Sequence, residues 1–396
     1  MLGSPWERFV RETAERETAG YFERAAVEGD GGEAVWFRGA EACVSLTARD
    51  DPRELRGALE RFLAAHPKGA VLGYLSFDAV GLFEPALRRF PAGSPFPLGE
   101  LALAARIERR RVGPGRRRPI PRTPVGRPDA DSLPRGRYER AVRRLIEAIR
   151  AGEAFQVVLA HHRRWRRPDD LLERVGRLRQ AERFSSFYYL RFGDREIVGA
   201  APESVCEVDR SRAYVDPIAG TLPRGPRHGR RPLRSDPKEL CEHRMLVDLA
   251  RNDLGRVARP GTVRLAWTER TVRYAQVDHL VSRVEATLRS DASPWDVLGA
   301  TFPAGTVCGA PKIRAVELLR EQEATWRGPY AGAVALLRPR GRATFALTIR
   351  SAFAAQGRLY TAAGAGIVHR SEPAREYDET LAKLSLVESA LLAEGR

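Results

Sequence analysis

Four glutamates carry the strongest chemical signal in this 396-residue chain. Glu239 and Glu242 stand three apart in a helix-patterned stretch, residues 238–257, entered through Asp236-Pro237. Residues at that spacing share a helical face, and Leu246 and Leu249 continue it, so the pair is expected to point inward. Two inward carboxylates need a compensating cation, because unpaired buried charge is very costly. Glu376 and Glu379 repeat the spacing in a second helix-patterned stretch starting at Pro373, with Lys383 one turn beyond. Facing each other across a cleft, the two pairs would offer oxygen-only ligands. Such ligands suit magnesium, which keeps waters that a substrate can displace. Spacing alone favours ordinary solvated charges instead, since Glu379 with Lys383 is an i,i+4 pair worth ~0.2–0.5 kcal/mol.

Glycine-rich segments come next. Pro217-Ile218-Ala219-Gly220-Thr221 lies between strand-like runs. Residues 302–312 (FPAGTVCGAPK), with Thr306 and Lys312, lead into a helix-like run at 313–321. Ala363-Gly364-Ala365-Gly366 follows a strand-like run at 358–361. Glycines let backbone amides approach an anion, and helix starts favour negative charge. None has P-loop or dinucleotide spacing, and alone they read as tight turns. Arg350 closes the alternating run 344–349, where a guanidinium can clamp a carboxylate with two hydrogen bonds. His279 opens the apolar run Leu280-Val281. By itself such a histidine reads as a core hydrogen-bonder.

The elements that must position these groups show in the hydrophobic pattern. Residues 53–65 have helical periodicity through Leu55, Leu59 and Leu63, and 71–77 read as a short apolar strand. Residues 113–134, rich in Pro, Gly and Arg, read as a linker or long loop. Residues 138–150 form an amphipathic helix with Val142, Leu145, Ile146 and Ile149 on one face. Gly152 ends it, and 155–159 read as a buried strand. Beyond that point strands cluster instead of alternating with helices, which favours an α+β fold over a doubly wound sheet.

Composition bounds the rest. The formal net charge is +16, yet only four basic residues are lysine (Lys68, Lys238, Lys312, Lys383), and Asn252 is the sole asparagine. That skew fits GC-rich coding or thermal adaptation. The runs Arg109-Arg110-Arg111 and Arg116-Arg117-Arg118 flank Gly113-Pro114-Gly115 and read as a solvated loop. No aromatic ladder accompanies them, which argues against nucleic acid as a partner. Three of the four lysines fall in the chemical segments above, where a compact ammonium answers a need arginine does not. Cys43, Cys206, Cys241 and Cys308 lack metal-ligand spacing and are expected as reduced thiols. No run approaches ~20 apolar residues, so no membrane span is expected. The charged N-terminus lacks a signal-peptide core, which makes the cytoplasm the expected location.

Taken in order, PIAGT (217–221), KELCEHRMLVDLARNDLG (238–255), QVDHLVS (276–282), FPAGTVCGAPK (302–312), RGPYAGAV (327–334), TIR (348–350), AGAGIV (363–368) and EYDETLAK (376–383) resemble the chorismate-utilising enzymes. The likeness covers about residues 136–390, and 69–85 (GAVLGYLSFDAVGLFEP) is similar too. The resemblance implies an α+β fold with two antiparallel β-sheets packed in a layered core, helices outside, and the active site in the cleft between them. It implies that Glu242 and Glu379 bind Mg2+ directly, with Glu239 and Glu376 supporting through water. It implies that Gly220, Thr221, Tyr330, Arg350 and the Gly364-Ala365-Gly366 backbone hold chorismate. Magnesium would take one of its carboxylates, and Arg350 with Tyr330 the other. Lys383 and Lys312 would add positive charge, while His279 and Thr306 would assist the elimination steps. Residues 1–130 are expected as a reduced, regulatory-like N-terminal segment wrapped into the core of a catalytic region, 131–396.

Two positions choose among the family's reactions. Members that make aminodeoxychorismate, the 4-aminobenzoate precursor, commonly carry a nucleophilic lysine in a PIKGT version of the first segment; here the residue is Ala219. Isochorismate and salicylate enzymes carry a lysine base where this chain has Gln156, and a neutral amide takes no proton at neutral pH. Both absences point to the branch that makes anthranilate and pyruvate from chorismate and ammonia, for tryptophan biosynthesis, with aminodeoxychorismate formation as the alternative. The GTVCGAPK segment is closer to the anthranilate version, with Cys308 in place of a serine. The chain shows no glutaminase segment, so a separate glutamine amidotransferase subunit is expected to deliver ammonia, and the basic surface could help dock an acidic partner. The family's tryptophan-sensing motifs would fall at 21–24 and 183–188, where neither matches, so inhibition by tryptophan is not expected.

Overall fold

The structure, a computed structural model, describes residues 4–13, 18–25, 32–88, 91–113, 125–181, 184–223, 233–273, 277–323 and 325–393. In chain order the first part runs α1 (Pro5–Glu12), β1 (Ala19–Arg24), β2 (Gly32–Arg38), β3 (Ala42–Leu46), α2 (Pro52–Ala65), β4 (Ala70–Leu75), α3 (Val80–Phe83), β5 (Gly99–Ala104) and β6 (Glu108–Val112). The middle runs β7 (Ala130–Asp131), α4 (Arg135–Arg150), β8 (Gln156–Arg166), α5 (Leu171–Ala181), β9 (Ser186–Phe192), β10 (Arg195–Ala201), β11 (Ser204–Asp209), β12 (Arg212–Val215), β13 (Ile218–Pro223) and α6 (Pro237–Gly255). The last part runs β14 (Arg264–Arg273), β15 (Val277–Thr287), α7 (Pro294–Thr301), α8 (Gly305–Cys308), β16 (Gly309–Ala310), α9 (Lys312–Glu323), β17 (Ala333–Arg338), β18 (Arg342–Leu347), β19 (Ser351–Ala355), β20 (Arg358–Ile367) and α10 (Pro373–Leu392).

Two antiparallel sheets result. One has the order β16-β8-β20-β19-β10-β9-β1-β2-β6, with β7 on β8; the other is β13-β15-β12-β11-β18-β17-β4-β5-β3, with β14 on β15. Strands from before residue 113 and from after 156 therefore share both sheets. Strand periodicity sorts side chains to the two faces of the first sheet. Phe22, Tyr188 and Leu190 point into the main core, packed with Tyr74, Phe345 and Phe353. Their neighbours Tyr21, Phe187 and Tyr189 point the other way, to an aromatic cluster with Trp6, Phe9 and Trp36 under α1 and α5. The layered α+β arrangement is the expected one.

The helices expected at 53–65, 138–150, 238–257, 313–321 and from Pro373 all form, shifted by a few residues at their ends. Three readings need correction, the first being the basic run Arg109-Arg110-Arg111, which lies in strand β6 paired with β2 and not in a loop. Phe155 is not in a buried strand: β8 begins at Gln156, and Phe155 is 69% exposed. Gly220 and Gly364-Ala365-Gly366 are not in turns, because both segments are strand interiors that pair across a sheet. Single-sequence pattern cannot see the partner strands, β15 beside Gly220 and β8 beside Gly364 and Gly366, that turn these segments into ladders. The basic run at 116–118 and most of the expected linker lie outside the described residues. All four cysteines are free, Cys206 and Cys308 buried. Among the described residues no helix is long and apolar enough to cross a membrane.

Candidate active site

The chain leaves one sheet for the other at two neighbouring places. β10 passes to β11 through Pro202-Glu203, and β18 passes to β19 through residues 348–350. Backbone bonds tie the crossings together: Leu347 N–H donates to the Glu203 carbonyl at 3.1 Å, and Ala200 N–H donates to the Arg350 carbonyl at 3.1 Å. Arg350 adopts φ 50°, the left-handed region that a bulky residue enters at a cost, a feature that clusters at functional sites. Its guanidinium donates to the Lys383 carbonyl at 3.1 Å.

Glu203, unremarked in the sequence, is buried, and burial pushes its carboxyl up to about 8. Asp216 raises it further, and the Thr306 hydroxyl, which donates to Glu203 Oε1 at 2.8 Å, opposes the rise. A carboxyl so placed keeps its proton at neutral pH and can give it up. The only local signal for it was a glutamate following the apolar strand β10.

Tyr330, Gly364, Lys383 and Arg350 converge. Burial raises the Tyr330 phenol to about 12, with the Gly364 backbone hydrogen-bonded to it and Arg327 and Arg350 pulling the other way. It is thus a neutral donor at physiological pH. Lys383 Nζ donates to the Gly364 carbonyl at 2.8 Å. A Cβ at Gly364 would stand 3.2 Å from the Tyr330 oxygen and 2.9 Å from the Leu159 carbonyl. At Gly366 it would stand 2.5 Å from Gln156 Nε2, which places Gln156 over the same face of β20, while buried Ala365 belongs to the opposite face.

On the second sheet, Gly220 sits in a bulge of β13, and Thr221 is paired with His279 of β15. The side chains of residues 219–223 lie outside the described residues, so Thr221 is placed by backbone alone. His279 is half-buried. On α6, buried His243 shares a 2.6 Å hydrogen bond with Ser282 of β15 and locks the helix carrying Glu239 and Glu242 against that strand.

Lys312, expected to add positive charge to the site, is taken up by bonds within the fold. Its ammonium is buried, 2.9 Å from Asp253 Oδ2, and also donates to the carbonyls of Thr301 at 3.0 Å and Ala300 at 3.4 Å. It clips α9 to the ends of α6 and α7, and a charge so consumed is structural.

The carboxylate pairs sit on separate walls. α6 packs on β13, β15, α7 and α8, whereas α10 packs on β20, α4 and α5. Glu239, Glu242 and Glu376 are half-buried, and each has an interaction partner. Glu379 points less inward than its spacing suggested: its side chain is 50% exposed and pairs with Lys383 at 2.6 Å. Glu376 and Glu379 both help raise the pKa of buried Tyr138 on α4, behind the contribution of burial itself. Among the described residues no three His, Cys, Asp or Glu side chains are gathered so as to hold a metal by themselves. The donors are nonetheless all oxygen, the chemistry magnesium prefers. With two carboxylates per wall, a cation there would depend on waters and on a substrate's own oxygens.

An arginine, a lysine, a neutral phenol and a carboxyl whose burial favours its protonated form lie where the two sheets meet, a set of groups suited to a small organic anion. The comparisons name the class. The chorismate binding enzyme family matches residues 17–389, and this chain belongs to it: it is an enzyme that acts on chorismate. The chain is 38% identical to anthranilate synthase component 1 of Saccharolobus solfataricus over 87% of each chain. It is 42% identical to the 2-amino-4-deoxychorismate synthase of Streptomyces globisporus over 64% of this chain and 52% of that one. Against several other component 1 relatives the match spans little more than half of their length. The crystal structure of anthranilate synthase component I from Streptococcus pneumoniae TIGR4 superposes with TM-score 0.74 at 26% identity, covering 95% of this chain and 93% of that one.

Proposed function

We propose that this chain is the chorismate-converting large subunit of an anthranilate synthase of tryptophan biosynthesis. Ammonia adds at ring carbon 2 while the carbon 4 hydroxyl leaves as water. The carbon 2 proton and the enolpyruvyl ether are then lost, giving anthranilate and pyruvate. The observation that carries this choice is Gln156 lying over Gly366 inside the site, with alanine at 219: neither supplies a lysine base or nucleophile, and ammonia needs neither.

Arg350 and Tyr330 hold one carboxylate of the substrate, the first by charge and the second by a neutral hydrogen bond. The Gly364 and Gly366 backbone and Gly220 offer close approach where a side chain would intrude. Glu203 gives its proton to the departing hydroxyl, and Thr306 orients that carboxyl through their 2.8 Å hydrogen bond. His279 and Thr306 assist the elimination. Glu242 and Glu379, supported by Glu239 and Glu376, would hold magnesium, which when bound neutralises the substrate's other carboxylate. A glutamine amidotransferase subunit delivers the ammonia, and the reaction takes place in the cytoplasm.

The Streptomyces globisporus relative supports a second reading, in which the chain stops at a 2-amino product. One assay separates the two. Chorismate, ammonium and magnesium should yield fluorescent anthranilate and pyruvate in equal amounts. An amino product formed without pyruvate would overturn the first reading. Repeating the assay with glutamine and a co-purified amidotransferase tests the partner.

A further inference from the structure

The edge of the first sheet ends early beside the site. β16 pairs only with Gln156 and Val157 of β8. The next outward-facing backbone groups of β8 belong to Val158 and Ala160, the residues opposite Gly366 and Gly364. Two side chains complete the ladder there. Glu323 Oε1 accepts from Ala160 N–H at 2.9 Å, and Arg327 Nη2 donates to the Val158 carbonyl at 2.6 Å. Arg327 also donates through Nη1 to the Val307 carbonyl at 2.8 Å, in the short helix that carries Thr306. Nε and Nη2 grip both Glu323 oxygens at 2.8 and 2.5 Å, and the guanidinium lies 4.4 Å over the Phe77 ring. Arg327 and Glu323 are 5% and 6% exposed. A buried ion pair is seldom kept for stability, since apolar residues serve that end as well. Beyond the bonds within the pair, this one spends its hydrogen bonds on backbone that borders the site, at Ala160, Val158 and Val307.

We propose that Arg327, held by Glu323, is a positioning residue: it locks the helix bearing Thr306 to the strand behind Gly364 and Gly366, and so sets where Thr306 and Glu203 meet the substrate. The proposal rests on the function given above and adds a residue to it. Lysine cannot replace the planar fork, because one ammonium cannot reach two carbonyls and a carboxylate in these directions.

The test is Arg327→Lys in the full chain, followed by chorismate consumption with ammonium and magnesium, the kcat profile against pH, and the melting temperature. The expected result is a kcat about 100-fold lower, the size that a misplacement near 1 Å produces, with KM changed less than about threefold. The basic limb of the profile should move to lower pH, because a displaced Thr306 helix lets water reach Glu203 and relieves the burial that raises it, a larger effect than the loss of the Thr306 hydrogen bond that lowers it. The groups acting on that carboxyl are Thr306 and Asp216. Those facing Arg327 are Glu323, Tyr330 and Cys308, with Asp78 beyond Gly328. A folded variant with unchanged kcat, or a lower kcat with an unmoved limb, would overturn the proposal in favour of a purely structural pair. Should Arg327→Lys not fold, the double variant Arg327→Gln with Glu323→Gln removes both charges together and leaves none unpaired. It should fold and show the same slow, shifted profile; full activity would refute the proposal. Because the readout is chorismate loss, a wild type that makes a different product would sink the reaction proposed above without touching this result.

Discussion

Burial moves the Glu203 carboxyl far from its ordinary acidity. Its ordinary value is 4.5, and burial raises it to about 8. The folded state therefore holds a proton that the unfolded chain releases across that window. The stability it contributes is complete below about 4.5 and is lost as pH climbs toward about 8. Each unit of such a shift corresponds to about 1.4 kcal/mol. Glu203→Gln removes the titration while keeping the shape. The variant should lose at least about 100-fold in kcat with little change in KM. Melting curves at about pH 5 and about pH 9 should show a smaller fall in Tm for the variant than for the wild type. Equal falls in both proteins would mean that Glu203 is not held protonated.

Among the elements, β20 shows how two similar glycines do different work. At Gly366 a Cβ would press on the far end of the Gln156 side chain, at 2.5 Å, which can swing away. At Gly364 it would press on the Leu159 carbonyl at 2.9 Å, backbone that cannot move without opening the ladder to β8. Gly366→Ala should keep its melting temperature within a few degrees but raise KM for chorismate, because Gln156 is driven into the substrate space. Gly364→Ala should destabilise by about 1–3 kcal/mol, the usual cost of overpacking. Denaturant titration beside steady-state kinetics checks both, and a Gly366→Ala protein with normal KM would show that Gln156 lies clear of the substrate. The crossovers are the second lesson at this scale. Glu203 and Arg350 both sit where a strand changes sheets, each tied to the other crossing by a backbone bond, from Leu347 to Glu203 and from Ala200 to Arg350.

For the whole molecule, the proposed magnesium joins two walls that the helices α6 and α10 supply separately. Treatment with EDTA should abolish chorismate turnover, and magnesium should restore it. Glu239→Gln and Glu376→Gln should each weaken magnesium affinity by about 10- to 100-fold, the usual loss for supporting groups, and Glu242→Gln and Glu379→Gln by more. Magnesium titration of chorismate binding in each variant measures the order. A Glu379→Gln enzyme with wild-type magnesium affinity would leave that residue to its surface pair with Lys383.

Much of this could be read from the residues in order. Periodicity located α4, α6 and α10, because an amphipathic helix writes its buried face at a fixed interval. Spacing grouped Glu239 with Glu242 and Glu376 with Glu379, because residues three apart share one helical face. Arginine usage made Lys383 stand out, and it does bond to the Gly364 carbonyl. The tertiary structure alone decided the rest. It turned apparent glycine turns into strand interiors, since only the partner strand reveals a ladder. It buried Lys312 against Asp253, 59 positions away. It made Glu203 an acid and Arg327 a brace, because desolvation and ion pairing depend on neighbours that lie far off along the chain and arrive only when the two sheets close.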